Sequence, residues 1–263
     1  MLHTLTQTIA HLKKKRIFLH AGSITFATLF SLIPMLSIFF MLLSWAGIAE
    51  PLIAQFKGFI VSHLFSYGTA ENHYIFEFID NIQNMNPTLI FFWLTSCILL
   101  LYSIEDSIND LFDIDRRRSL KLSLLMHIVL MLIIPFILIT SFIINHYVAN
   151  AAAYFLCSPS SSYACQSIHL LPITTDWLLC LLLYGVFPAK QVSFKWVVTT
   201  SILTSILLYL AKMLVVFYFE HSVTYFSIYG AVSSIPIFMT VIYVMWYIIF
   251  LGAALCHKLE QRS

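Results

Sequence analysis

The feature that most constrains this chain is a series of long segments with almost no charged residues. A helix needs about 20 apolar residues to cross the hydrocarbon core of a bilayer, and six segments approach or exceed that length. Their apolar residues are continuous rather than alternating, and backbone polar groups in lipid must be satisfied internally, so we predict helices and not barrel strands. The predicted fold is an all-α, polytopic membrane bundle of six transmembrane helices. The predicted spans are 24–48, 87–104, 120–144, 170–187, 194–219 and 231–257.

Composition argues against a soluble alternative. Hydrophobic residues make up 60% of the chain and charged residues 10%, against about 25% charged in an ordinary soluble domain. The net charge of +2 gives no reason to expect a nucleic-acid partner. The first apolar segment follows the basic run at 13–16, as in a secretory signal, but it is too long and lacks a small-residue cleavage site. We therefore predict an uncleaved first span.

The basic residues predict the orientation, because Lys and Arg concentrate in short cytoplasmic loops. They lie before the first span, after the second, after the fourth and after the sixth, whereas the opposite side has Lys57 alone. Both termini are therefore predicted to be cytoplasmic. The domain prediction is a cytoplasmic segment, 1–23, a single membrane domain, 24–257, and a cytoplasmic tail, 258–263. The basic residues on the cytoplasmic side are Lys13, Lys14, Lys15, Arg16, Arg116, Arg117, Arg118, Lys121, Lys190, Lys195, Lys258 and Arg262.

Two outer loops have features of their own. Between the first two spans, apolar residues recur at helical spacing around 56–64 and 75–82, which predicts short amphipathic helices, either packed on the bundle or closing over an outward cavity. The loop between the third and fourth spans contains Cys157 and Cys165. An oxidising outer compartment permits a disulfide there, so we treat this pair as a structural disulfide hypothesis.

Lys212 is the most informative single residue, since it lies inside the fifth span with no acidic neighbour in sequence before Glu220. A long lysine stem can reach the interface alone. Alternatively, Lys212 faces the bundle and pairs with Asp176 near the outer end of the fourth span, or with Glu220. Intramembrane charges usually face an interior or a cavity, so Lys212 and Asp176 are candidates for binding an anionic lipid head group or solute.

Prolines and small polar residues extend this hypothesis. Pro34 lies in the first span and Pro236 early in the sixth, each after a Ser-x-Ile run, and Pro135 interrupts the third. A proline frees the carbonyl four residues earlier, and transporters place such broken helices around their sites. Static kinks are the simpler interpretation. The further candidate substrate-binding residues are Ser31, Pro34, Ser233, Ser234 and Pro236.

No catalytic constellation is present in the sequence. There is no Gly-rich phosphate loop, no C-x-x-C, and no histidine pair at the spacing of a helical zinc site. Asp106, Asp110 and Asp113 share one face at the end of the second span, but beside a basic loop they indicate a solvated helix end rather than a cation site. We predict no catalytic residue, no metal and no cofactor.

Four segments together resemble a known family. They are "FATLFSLIPML", "LLLYSIEDSINDLF", "LLYGVFPAKQVSFKWVVTTSILTSILLYLAKMLVVFYF" and "IYGAVSSIPIFMTVIYVMWYIIFLGA". They are similar to the YihY / virulence factor BrkB family of bacterial inner-membrane proteins, from about residue 21 to 255. Asn109 matches the Asn of the family's Asn-x-x-Trp pattern and Phe112 replaces the Trp. The family usually has Glu soon after the closing L-G-A, where this chain has Ala254 and Leu255.

The resemblance implies a multi-pass protein of the bacterial inner membrane without a defined molecular function. From the residues we expect a transporter or a lipid- or solute-handling permease of the cell envelope, not an enzyme, with membrane lipids and an anionic lipid or small solute as partners. The alternative is a non-transporting scaffold for envelope integrity. The family's older label, ribonuclease BN, is least favoured, because hydrolysis of phosphodiesters needs clustered metal ligands or a positioned acid and base. The oligomeric state stays open.

Overall fold

The computed structural model describes residues 16–45, 87–115, 117–134, 136–137, 140, 171–221 and 234–261. In these residues the chain forms helices and connecting turns, without a strand. The predicted all-α fold class is therefore confirmed for the described part of the chain. The helices are α1 (Ile17–Trp45), α2 (Pro87–Leu111), α3 (Leu120–Ile134), α4 (Leu171–Val186), α5 (Phe194–His221) and α6 (Ser234–Glu260).

Three of the described helices contain a segment that is long and apolar enough to cross a membrane: Phe91–Leu111, Phe194–Val215 and Phe238–Glu260. The other apolar helical segments are shorter: Ile17–Ser31, Leu120–Ile134 and Ile173–Val186. Large apolar side chains are exposed along these helices, as for Phe91 at 73% and Leu214 at 68%. Such surfaces are expected where acyl chains, rather than water, cover a helix. Six spans with both termini inside remain a prediction.

Several helices extend beyond the segments that hydropathy outlines. α1 begins at Ile17, before the predicted start at residue 24, and α2 continues to Leu111, past the predicted end at residue 104. The continuation of α2 includes Glu105, Asp106 and Asp110. Hydropathy marks the part of a helix that lipid can cover, whereas backbone hydrogen bonding continues as long as the polar side chains find partners.

The chain divides into two compact units, one comprising Met1–Thr25 with Leu101–Ser263 and the other Phe26–Leu100. In the first unit α4, α5 and α6 pack against one another. Their contact is centred on Tyr184, which is fully buried. Its hydroxyl lies 2.7 Å from the Ile249 carbonyl oxygen of α6 and 3.1 Å from Thr204 Oγ1 of α5. Gly252 makes room for this contact, because a Cβ there would overlap the Tyr184 hydroxyl and Thr204 Oγ1.

The second unit contains the described parts of α1 and α2 beyond Thr25 and before Leu101. α1 passes through Pro34 without interruption, although proline leaves the carbonyl of Phe30 without its usual helical donor. Ser31 is buried, and its hydroxyl donates to Ala27 O at 2.8 Å within the same helix. Pro34 thus bends or strains α1 locally at most, and does not end it.

The end of α2 is closed by a left-handed residue. Asp113 has a φ of 52°, while Ile114 N donates to Asn109 O at 3.0 Å and Asp113 N donates to Asp110 O at 3.3 Å. These two bonds are those of the Schellman motif, which satisfies the last carbonyls of a helix and turns the chain. The motif directs the chain into the short link that precedes α3.

The turn between α4 and α5, residues 187–193, is held from three other parts of the chain. Asn109 Oδ1 of α2 accepts a hydrogen bond from Ala189 N at 2.8 Å. Arg118, in the link before α3, donates through NH2 to the carbonyls of Val186 and Pro188, both at 2.7 Å. Glu260 Oε2 of α6 accepts from Ser193 N at 3.1 Å. The turn is therefore fixed by polar contacts at the end of α4 and α5 that lies away from Asp176 and Lys212.

Candidate functional site

Lys212 and Asp176 form an ion pair between α5 and α4. Lys212 Nζ lies 2.8 Å from Asp176 Oδ1 and 2.7 Å from Asp176 Oδ2. Of the alternatives that the sequence left open for Lys212, the pairing with Asp176 is therefore the one present in the structure. Because the ammonium contacts both carboxylate oxygens, these are charge-assisted hydrogen bonds, about twice as strong as bonds between neutral groups.

Each partner lies on the packed face of its helix. Asp176 is one turn from the buried Cys180 and two turns from Tyr184, and Lys212 is one turn beyond the buried Leu208. Residues three to four apart share a helix face, so the pair continues the contact that α4 and α5 make at Tyr184 and Thr204. The packing of these two helices therefore brings the two charges together.

The pair is covered unequally. The Asp176 side chain is 13% exposed and that of Lys212 is 35% exposed. An ammonium group has three N–H donors, and two of them suffice for the two oxygens of Asp176. The exposed side of Lys212 therefore has capacity for one further acceptor, such as an oxygen of a phosphate or carboxylate.

The structure does not test whether the remaining predicted substrate-binding residues lie near this pair. Ser31 and Pro34 belong to the unit of Phe26–Leu100, and the Ser31 hydroxyl is bonded within α1. Ser233 lies outside the described residues, and Ser234 is the first residue of α6, with its side chain not described. The prediction that all these residues line one cavity stays a prediction.

Pro236 lies near the start of the described part of α6 and is exposed. A proline in the first turn of a helix removes no intrahelical hydrogen bond, whereas one further along the helix does. Residues 231–233 lie outside the described residues, so the interpretation of Pro236 as a break in the sixth span stays a prediction. Pro135, Cys157 and Cys165 lie outside the described residues.

The acidic face at the end of α2 contacts neighbouring basic side chains. Arg117 contacts Asp106, and its NH2 lies 2.8 Å from Asp110 Oδ1. His257 Nε2 of α6 lies 3.1 Å from Asp113 Oδ2. These carboxylates are 38–57% exposed, which agrees with a solvated helix end. Within the described residues, no group of three or more His, Cys, Asp or Glu side chains could hold a metal ion.

Sequence reasoning missed a second buried polar cluster, formed by Glu105 of α2 with Ser123 and His127 of α3. The Ser123 hydroxyl donates to Glu105 Oε2, and His127 Nε2 lies 3.0 Å from the same oxygen. The side chains of Glu105 and His127 are 6% and 0% exposed. A detectable signal was the presence of ionisable residues in or next to apolar segments, together with the short link between α2 and α3, which makes them antiparallel neighbours.

Comparisons with known proteins place the chain in a family. Residues 8–263 match the family described as virulence factor BrkB. Among curated relatives, a UPF0761 membrane protein of Chlorobium luteolum is 27% identical over 97% of this chain and 59% of its own length. One from Histophilus somni strain 2336 is 26% identical over 95% of this chain and 88% of its own length. One from Mannheimia succiniciproducens is 27% identical over 89% of this chain and 82% of its own length.

The chain thus spans less than two thirds of the Chlorobium relative. No solved structure is significantly similar to it. The relatives are named as membrane proteins, in agreement with the long apolar helices of α2, α5 and α6. The family resemblance inferred from the sequence is confirmed over nearly the whole chain: this protein belongs to the virulence factor BrkB family of membrane proteins.

Proposed function

We propose that the protein is a permease of the bacterial inner membrane that binds an anionic solute or lipid head group at Lys212 and Asp176. The observation that carries the proposal is the ion pair itself, which lies between apolar helices with its lysine 35% exposed. Membership in the family supports the membrane location and leaves the chemistry to be argued from the site.

Stability alone is a poor reason for such a pair. Removing two charges from water costs more than their attraction often returns, and well-packed apolar residues of similar volume are frequently as stabilising. Ionisable residues within membrane helices instead mark substrate or ion pathways. The pairing of Lys212 with Asp176 therefore favours a functional role over a purely structural one.

The geometry suggests how an anion would act. Lys212 is neutralised by Asp176 when the site is empty, so the charge of the ammonium is compensated between transport events. A phosphate or carboxylate approaching the exposed side of Lys212 would compete with Asp176 for the same donors. Displacement of Asp176 weakens a polar contact between α4 and α5, and this couples occupancy to the packing of the two helices.

The proposal includes a set of expected partners. They are membrane lipids and an anionic lipid or small solute, without nucleic acid. We propose a non-enzymatic role, because the residues at the pair offer a binding site for an anion but no activated nucleophile beside a base. A permease needs no bond-making step, and binding followed by rearrangement of helices is sufficient.

A direct test uses purified protein reconstituted in liposomes that contain fluorescent phosphatidylglycerol or, separately, fluorescent phosphatidylcholine. We expect the protein to accelerate movement of the anionic lipid between leaflets, with Lys212→Met abolishing the effect and Asp176→Asn reducing it. Lys190→Met is the matched control, since Lys190 is an exposed lysine in the turn after α4. Native mass spectrometry of the same variants would reveal whether a small anion, rather than a lipid, stays bound.

The result that contradicts the proposal is clear. Lys212→Met protein that folds, moves anionic lipid and retains bound anions as well as the unaltered protein would exclude a role for this pair in recognition. Equal transport of phosphatidylcholine and phosphatidylglycerol would exclude selection by charge. A stable protein complex without any bound or transported anion would instead favour the scaffold alternative.

A further inference from the structure

The cluster of Glu105, Ser123 and His127 has an unusual hydrogen-bond arrangement. His127 Nε2 lies 3.0 Å from Glu105 Oε2, but off the line of a good hydrogen bond, so this contact is mainly electrostatic. His127 Nδ1 is buried, and no group in the described part of the chain bonds to it. A fully buried imidazole normally has partners for its nitrogens. Neither ring nitrogen of His127 has a hydrogen-bond partner among the described residues.

The side chains of Glu105 and His127 are almost completely covered. The His127 side chain is 0% exposed and that of Glu105 is 6% exposed. A lipid head group or a solute has no access to such side chains, and the described residues around them provide no third ligand for a metal ion. Carboxylate and imidazole are the groups that most readily exchange protons near neutral pH when their surroundings change. The ligand that fits this pair is a proton.

The charge on this pair reaches the turn between α4 and α5 through Arg118. Arg118 NH1 lies 3.8 Å from Glu105 Oε1, while its NH2 donates to Val186 O and Pro188 O at 2.7 Å. One guanidinium group thus donates hydrogen bonds to the turn and lies close to the buried carboxylate. When the Glu105–His127 pair gains a proton, its net charge rises by one, and its attraction for Arg118 falls.

We propose that His127, beside Glu105, is a buried proton-binding site that controls the hold of Arg118 on the turn between α4 and α5. Proton uptake loosens the turn, and proton release tightens it. For transport this inference rests on the proposed function, because α4 and α5 also contain Asp176 and Lys212. In that case the site would supply the coupling between a proton and movement of the anion.

Other side chains near the end of α2 contribute to the electrostatic potential at Glu105 and His127. Arg117 is occupied by Asp106 and Asp110, and His20 of α1 lies 3.9 Å from Asp110. The Tyr102 ring of α2 lies with its centroid 6.3 Å from that of His127. His20 is the matched control, because it is a partly buried histidine beside a carboxylate that is itself bound to Arg117 and not to Arg118.

The experiment is hydrogen–deuterium exchange of the full chain in nanodiscs at pH 8 and pH 5, with protection corrected for the intrinsic pH dependence of exchange. The amides of Ala189 and Ser193 report on the turn, since both are hydrogen-bonded to other parts of the chain. We expect their protection to fall about tenfold on acidification, which by linkage means that the proton binds about tenfold more tightly when the turn is loose.

The two variants have opposite expected effects. Glu105→Gln removes the charge that attracts Arg118, so protection should be low at both pH values. His127→Gln keeps the carboxylate but cannot form an imidazolium, so protection should stay high at both. His20→Gln should behave like the unaltered protein. If Glu105→Gln does not fold, the loss of pH dependence in His127→Gln still decides the question.

An unchanged pH response in His127→Gln, or no pH response in the unaltered protein, would overturn the inference. The measurements of lipid binding and lipid transport described under the proposed function distinguish a failure of this inference from a failure of the proposed function. Glu105→Gln and His127→Gln should still bind the anionic lipid, which Lys212→Met should not. If the unaltered protein shows the expected pH response but Lys212→Met transports anionic lipid normally, the transport proposal is refuted. The proposed proton site would then stand.

Discussion

Gly252→Ala is expected to weaken the contact among α4, α5 and α6 that aligns Asp176 with Lys212. A methyl group at this position overlaps Thr204 Oγ1 and the Tyr184 hydroxyl. Tyr184 is 0% exposed and Thr204 is 1% exposed, so neither side chain has free space into which it can move. Overpacking of such a site costs about 1–3 kcal/mol. The greater helix propensity of alanine offsets about 0.8–1.0 kcal/mol of that cost.

Gly22→Ala is the control that isolates the overpacking. Gly22 lies in α1, and an added Cβ there meets nothing within 4 Å, so this variant should gain the same helix propensity without a clash. The two alanine variants should therefore differ by about 1–3 kcal/mol, with Gly252→Ala the less stable. The free energy of unfolding in detergent, or the midpoint of thermal unfolding of a fluorescent fusion, measures this difference.

The two overlapping atoms provide a second check. In a background of Tyr184→Phe with Thr204→Ala, both atoms that the methyl group meets are absent, so the cost of Gly252→Ala should fall by most of its value. Equal stability of Gly252→Ala and Gly22→Ala would refute the reasoning. So would a cost of Gly252→Ala that stays the same in the altered background, since contacting residues should couple.

Three further predictions concern the turns and the topology. Asp113→Ala should be less stable than Asp113→Gly by about 1–2 kcal/mol in thermal unfolding, because the φ of 52° favours glycine. Both variants lose the exposed contact with His257, so that loss cancels in the comparison. Equal stability would contradict the assignment of a left-handed cap. Asn109→Ala should lower the free energy of unfolding by about 1–3 kcal/mol in the same measurement, because Ala189 N loses its buried acceptor. A decrease smaller than the experimental error would indicate that water replaces the Asn109 side-chain oxygen. In a cysteine-free background, a cysteine at residue 160 should react with an impermeant thiol reagent from outside and one at residue 117 should not. The opposite labelling would refute the predicted orientation.

The sequence alone determined the fold class and the membrane location. Continuous apolar segments leave the backbone no partners other than its own, so helix formation follows from composition along each segment. The same reasoning identified Lys212, because a charge in such a segment needs compensation wherever the helix is placed. It also proposed Asp176 as a partner, with Glu220 and an unpaired lysine as the alternatives, because the rise of a helix places Asp176 and Lys212 at similar depths below the outer ends of their spans.

The tertiary structure decided what depends on rotation about the helix axes and on the exact ends of the helices. Hydropathy ended the second span at residue 104, whereas α2 continues to Leu111, and so the role of Glu105 became visible only when Ser123, His127 and Arg118 were placed around it. The cost of exposing apolar surface to water can be inferred from each segment of the sequence separately. The partner of a buried polar group depends on the packing between helices, so no single segment predicts it.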